Sequence, residues 1–163
     1  MATSYVTTIP ARDNDIRKMA GVSDLLLAVG RIVIAVMFIS SGFEKFIDLG
    51  GTAAMIGSKN LPAPFVLAVL TALLEFGGGL LIVLGWQTRI AALALAGFTA
   101  VATYFFHNFW NYPPGAEHTN NMIHAMKNLS VIGGFLMLAA AGAGCYSIDG
   151  PCIVHDRDTV RQV

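Results

Sequence analysis

Thr99, Thr103 and His107 recur at four-residue spacing, with Trp110 three residues beyond, so on a helix they share one face. Asn120, His124, Lys127 and Asn128 form a second polar stripe of the same kind, and Glu117 and His118 lie between the two. His, Lys, Asn and Trp near a lipid boundary suit a quinone or quinol head group. Its two oxygens need hydrogen-bond donors and a proton acceptor, while its tail stays among apolar side chains. Two other readings use the same residues. A polar cap would satisfy helix ends at the water interface. A metal held by His107, His118, His124 and Glu117 is the third, but their spacing matches no compact ligand motif, and no metal is expected.

Arg31 and Glu75 stand inside apolar runs. A charge there costs roughly 2.5–3.5 kcal/mol on insertion scales, so it faces a partner. In an antiparallel hairpin their depths differ by a few ångströms, and the expectation is a buried polar pair. It would bind a ligand, relay protons, or fix helix register as a structural ion pair.

The elements that carry these residues are legible from composition. The 163-residue chain is 55% hydrophobic and 12% charged, with ten Lys+Arg against ten Asp+Glu. Soluble domains carry about a quarter charged residues. Zero net charge supplies no basic field for nucleic acid. The apolar runs predict an all-α, integral membrane four-helix bundle over 23–144, with spans near 23–45, 64–84, 89–109 and 120–143. Each approaches or exceeds the roughly 20 residues that cross a bilayer. Residues 1–22 read as a soluble N-terminal tail and 145–163 as a C-terminal one. The run from Leu25 to Phe43 exceeds a signal-peptide core and no small-x-small site closes it, so it reads as a retained first helix. Arg12, Arg17, Lys18, Arg89, Arg157 and Arg161 lie on one side of this layout, against Lys45 and Lys59 on the other, which predicts both termini to be cytoplasmic. Cys145 and Cys152 then face a reducing compartment and stay thiols; the reverse topology would make a disulfide plausible. Gly77-Gly78-Gly79 and Gly133-Gly134 are expected to let neighbouring helices approach.

Read in order, several segments resemble the DoxX family of small bacterial membrane proteins. They are Gly30-Arg31-Ile32, Phe38 to Lys45, Glu75 to Gly79, Gly85 to Ala91, His107, Lys127 to Ser130, Gly133-Gly134, Gly142 to Gly144 and Tyr146 to Asp149, together covering roughly residues 25–150. The resemblance implies a multi-pass bacterial inner-membrane subunit linked to a quinone-dependent oxidoreductase. The sequence holds no CxxCH haem motif and no flavin fingerprint, so no covalently bound cofactor is expected. A redox cofactor would be a diffusible quinone or belong to a partner. The expectation is an accessory subunit with His107, Trp110, His124, Lys127 and Asn128 at the head-group site. Its surroundings would be the bilayer and a larger membrane oxidoreductase, or further copies of itself. The alternatives are a non-catalytic structural or assembly subunit and a small transporter.

Overall fold

The computed structural model describes residues 13–150, with side chains described from residue 21 onward. Among these residues five α-helices run α1 (Asp13–Ile47), α2 (Leu49–Gly57), α3 (Pro64–Leu84), α4 (Thr88–Phe106) and α5 (Ala116–Ala141), with one 3-10 turn at Phe109–Asn111. Four stretches of the described residues are long and apolar enough to cross a membrane: Gly21–Ile47, Pro64–Leu84, Thr88–Asn111 and Ala116–Ala141. Four crossings return the chain to the side it left. One side therefore holds the start of α1, the α3–α4 turn and the segment after α5 (the termini side). The other holds α2 and the α4–α5 connection (the loop side).

The polar residues before the first apolar run are helical from Asp13, so the expected tail is partly helix. Hydropathy locates the part of a helix that lies in lipid, not where the helix starts. The Gly-rich connector after Asp48 also folds as a helix. Asp48 Oδ1 accepts from the Gly51 N–H at 2.7 Å, and Thr52 and Ile56 of α2 are buried. Glycine's poor intrinsic helix propensity hid this element. Pro64 at the first position of α3 has no N–H to leave unsatisfied there.

The buried core is Ala35, Phe38, Ile82, Ala91, Ala92, Leu95, Ala96, Phe135 and Leu138, with large apolar side chains such as Val33, Ile90 and Met137 turned outward. That is the arrangement lipid requires: outward faces need no water, and association comes from close packing. Gly42 brings α1 against α3, where a Cβ would stand 2.5 Å from the Phe76 nitrogen. Of the glycines expected to pack, Gly78 meets Leu95, Gly79 meets Ile39 and Gly134 meets Ile34, whereas Gly77 and Gly133 face open space.

The helices pair unequally. α1 lies along α3, and α4 lies along α5, with α3 and α4 joining the pairs; α1 and α5 meet only sparingly. Midway along α1 they touch through Ile34 against Gly134 and through Phe38 edge-on to Phe135, ring centroids 5.1 Å apart.

Candidate functional site

Lys45 sits in the last turn of α1 on the loop side and reaches back along its own helix. Its Nζ donates to Ser41 Oγ and to Glu75 Oε2, both at 2.6 Å, and Ser41 Oγ donates to the same carboxylate oxygen at 3.1 Å. The Glu75 side chain is 7% exposed and that of Lys45 is 25% exposed. A carboxylate deep in lipid needs such partners, and α1 supplies both from adjacent turns.

The expected Arg31–Glu75 pair is not formed. Both residues are buried, but Arg31 turns toward the termini side, where Nη1 donates to the Ala143 carbonyl at 3.0 Å and Nη2 donates to that of Tyr146. Its guanidinium packs against Gly85, whereas Glu75 lies roughly 15 Å away along α3 at 1.5 Å per residue. Placing both residues by depth ignored the reach of their side chains: Arg31 extends to the near interface, and Lys45 supplies the cation instead.

The opposite wall comes from α4 and α5. Thr99 Oγ1 and Thr103 Oγ1 donate to the Leu95 and Thr99 carbonyls at 2.7 and 2.6 Å, which leaves the Thr103 oxygen to accept from Asn128 Nδ2 at 2.9 Å. His107 stacks on His124, ring centroids 4.8 Å apart and planes 17° from parallel. His107 Nδ1 and Asn108 Oδ1 are buried side-chain atoms without a hydrogen-bond partner among the described residues. A buried polar atom left unpaired costs about 1–3 kcal/mol, so its presence calls for a ligand, a water or a function.

These walls enclose a cavity of about 320 Å3, lined on one side by Ser41, Lys45 and Glu75 and on the other by Thr99, His107 and Asn128. Apolar lining comes from Met37, Phe38, Met55, Phe98 and Phe106. Two polar groups read separately in the sequence thus share one cleft. His124 backs the cleft through its stack on His107. Lys127 is exposed on α5, and Trp110, 51% exposed, packs on Tyr104 and Phe109; neither lines the cavity. His118 accepts from or donates to nothing in the cleft; its Nδ1 faces the Tyr112 carbonyl at 3.1 Å. Among the described residues no group of three His, Cys, Asp or Glu side chains is placed to hold a metal. Lys45 and Ser41 were the residues that sequence reasoning missed as site members. Their signal was the four-residue spacing that puts both on one face of α1.

A larger depression of about 510 Å3 lies at the termini side, lined by Gln87 to Ile90, Ala141 to Ala143, Asp149 and Gly150. Its carboxylate is already engaged. Asp149 Oδ1 accepts from the Gln87 N–H at 2.9 Å and Oδ2 from the Thr88 N–H at 2.8 Å, capping α4, while the Asp149 N–H donates to the Gly85 carbonyl at 2.8 Å. The Thr88 and then the Gln87 backbone N–H hold the Asp149 carboxyl below its ordinary value. The Cys145 N–H donates to Asp24 Oδ1 at 3.1 Å. Together with Arg31 these bonds clasp the segment after α5 onto α1 and the α3–α4 turn. Gly85 is required there: its φ of +67° is left-handed, and a Cβ would collide with the Arg31 guanidinium. The larger depression also holds Arg89 and Thr88 Oγ1, a buried oxygen without a hydrogen-bond partner among the described residues, but it lies at the ends of the spans, whereas the smaller cavity reaches Phe38, Glu75 and Thr99 in their interior. Cys152, expected beside Cys145, lies outside the described residues, as do Arg12, Arg157 and Arg161.

A family model described as DoxX matches residues 26–108. The chain is 41% identical over 131 residues to the inner membrane protein YqjF of Escherichia coli K12, covering 80% of this chain and 95% of that one. It is 34% identical to the inner membrane protein YphA of the same organism over 125 residues, 77% and 89% of the two chains. A more distant likeness, 27% over 124 residues, is to the ER-derived vesicles protein ERV29 of Saccharomyces cerevisiae, of which it covers 33%. No solved structure matches the chain.

Proposed function

This chain belongs to the DoxX family of multi-pass inner-membrane proteins, and from that premise we propose that it is an accessory subunit of a quinone-linked membrane oxidoreductase. Both termini are cytoplasmic in this reading. The quinone head group occupies the cleft between the α1–α3 and α4–α5 pairs. The observation that carries this is the placement of hydrogen-bonding groups on opposite walls of one cavity of about 320 Å3 inside the spanning region.

A quinone carries two carbonyl oxygens on opposite sides of a flat ring. Lys45 Nζ, with one N–H left over from Ser41 and Glu75, can donate to one, and His107 or Asn128 Nδ2 to the other. Phe38, Phe98 and Phe106 supply the apolar contact that a ring requires. Reduction to the quinol takes two electrons and two protons. The electrons come from a redox partner in the larger complex. Glu75 and His107 are the cleft's proton-carrying groups, each within the wall that faces one oxygen.

A second reading, a purely structural or assembly subunit, draws support from the Lys45–Glu75 contact, which satisfies both charges without a ligand. The experiment that separates the two is extraction of the purified protein in lipid nanodiscs, with mass spectrometry of retained quinone and copurifying proteins. Stoichiometric quinone supports the redox subunit. A partner protein with no quinone retained, and none bound on titration, removes the quinone reading and favours assembly.

A further inference from the structure

We propose that the cleft opens sideways into the bilayer between α1 and α5, and that its ligand enters from the lipid and keeps a long apolar tail in that opening. The two helices touch at Ile34–Gly134 and at Phe38–Phe135. Two turns toward the loop side, on the face of α5 that Gly134 presents to α1, stands Lys127. It is exposed and makes no hydrogen bond or ion pair within the described residues. On α1, the side chains one and two turns beyond Ile34 are Phe38, which meets Phe135 and also lines the cavity, and Ser41, which lines the cavity and bonds to Glu75 of α3. The helices have therefore parted at this depth, with the Phe38–Phe135 pair as the floor of the gap.

Met37 fixes where the gap leads. It lines the cavity and is also 41% exposed, within the stretch Gly21–Ile47 that crosses the membrane. A side chain that faces both the cavity and the outside at that depth marks a mouth in hydrocarbon rather than in water. The cavity is also small. Its volume of about 320 Å3 is at the low end for a drug-sized ligand, enough for a ring head group and not for an isoprenoid chain. A tail must leave through the mouth, past Met37 on one side and Lys127 on the other. Lys127, which the sequence suggested as a lining residue, thus flanks the entrance, where its ammonium can meet a head group in transit.

The identity of the ligand rests on the quinone reading; the opening does not. Two measurements on the full-length protein in nanodiscs keep them apart. A phospholipid with a photoactivatable diazirine in its acyl chain reports on the opening: adducts are expected on Phe38, Ser41 or Glu75, which are shielded from lipid by any closed bundle. Titration with a quinone bearing a long isoprenoid tail, and with its tailless analogue, reports on the ligand. Met37→Trp should cost the long-tailed compound about tenfold more affinity than it costs the tailless one, and equal losses for the two would show that no tail passes Met37. Cleft adducts that the long-tailed quinone suppresses support both claims. Cleft adducts that no quinone suppresses keep the opening and remove the quinone. Adducts confined to outward residues such as Val33 and Leu129 overturn the lateral opening, whatever quinone binds.

Discussion

Lys45 Nζ stands 2.6 Å from Glu75 Oε2, and this contact joins the loop-side end of α1 to the middle of α3 within the lipid-spanning region. It decides how two membrane-embedded charges are tolerated. Each neutralises the other, Ser41 adds a third group, and Glu75 is left facing a cavity instead of hydrocarbon. The same contact keeps a carboxylate at the wall of the proposed head-group site.

Removing one partner should therefore cost more than removing both. Glu75→Ala strands the Lys45 ammonium. A fully buried pair broken this way costs roughly 3–5 kcal/mol, and the partial exposure of Lys45 reduces that to about 1–3 kcal/mol. Lys45→Ala with Glu75→Ala should recover part of the loss. Thermal unfolding of wild type and the two variants in detergent checks this; equal stability of Glu75→Ala and wild type would show that the contact does not hold the helices.

The clasp at the termini side should weaken in acid. The Asp149 carboxyl lies below its ordinary value because it accepts from two backbone N–H groups. A depressed carboxyl contributes stability that is complete above its unfolded value and is lost as pH falls through the lower folded value. Asp149→Asn should thus lower the melting temperature at neutral pH, and its gap to wild type should close in strong acid. A gap that is constant down to the acid end would contradict the capping role.

Much of this architecture is legible in the sequence, and the exceptions have physical causes. Four apolar runs announce four crossings because lipid forces every backbone group into helical hydrogen bonds. Glu75, His107 and Asn128 stand out as polar residues in those runs, and they do share a cleft. Partnering does not read out in the same way. Helix depth suggested Arg31 for Glu75, but a side chain of that length reaches a neighbouring turn, and only the packing of the segment around Ala143 and Tyr146 fixes where Arg31 goes. Asp149 was equally opaque: a carboxylate in a polar tail looks solvated until the chain returns to the start of α4.

Topology gives a further test. Four crossings put both ends of the bundle on one side, and the Lys and Arg distribution points to the cytoplasm. Reporter fusions active only in the cytoplasm should work at either terminus, and a cysteine introduced in the α4–α5 connection should react with an impermeant thiol reagent from outside. Labelling of that connection only after the membrane is opened would reverse the orientation.

Quinone binding to the purified protein in nanodiscs, compared among wild type, His107→Ala and Asn128→Ala, tests the cleft most directly. Wild type should bind saturably and each variant should lose about tenfold or more in affinity, with the bundle still folded. Binding that is absent from wild type, or unchanged in both variants, would contradict the claim that this cleft holds a quinone head group.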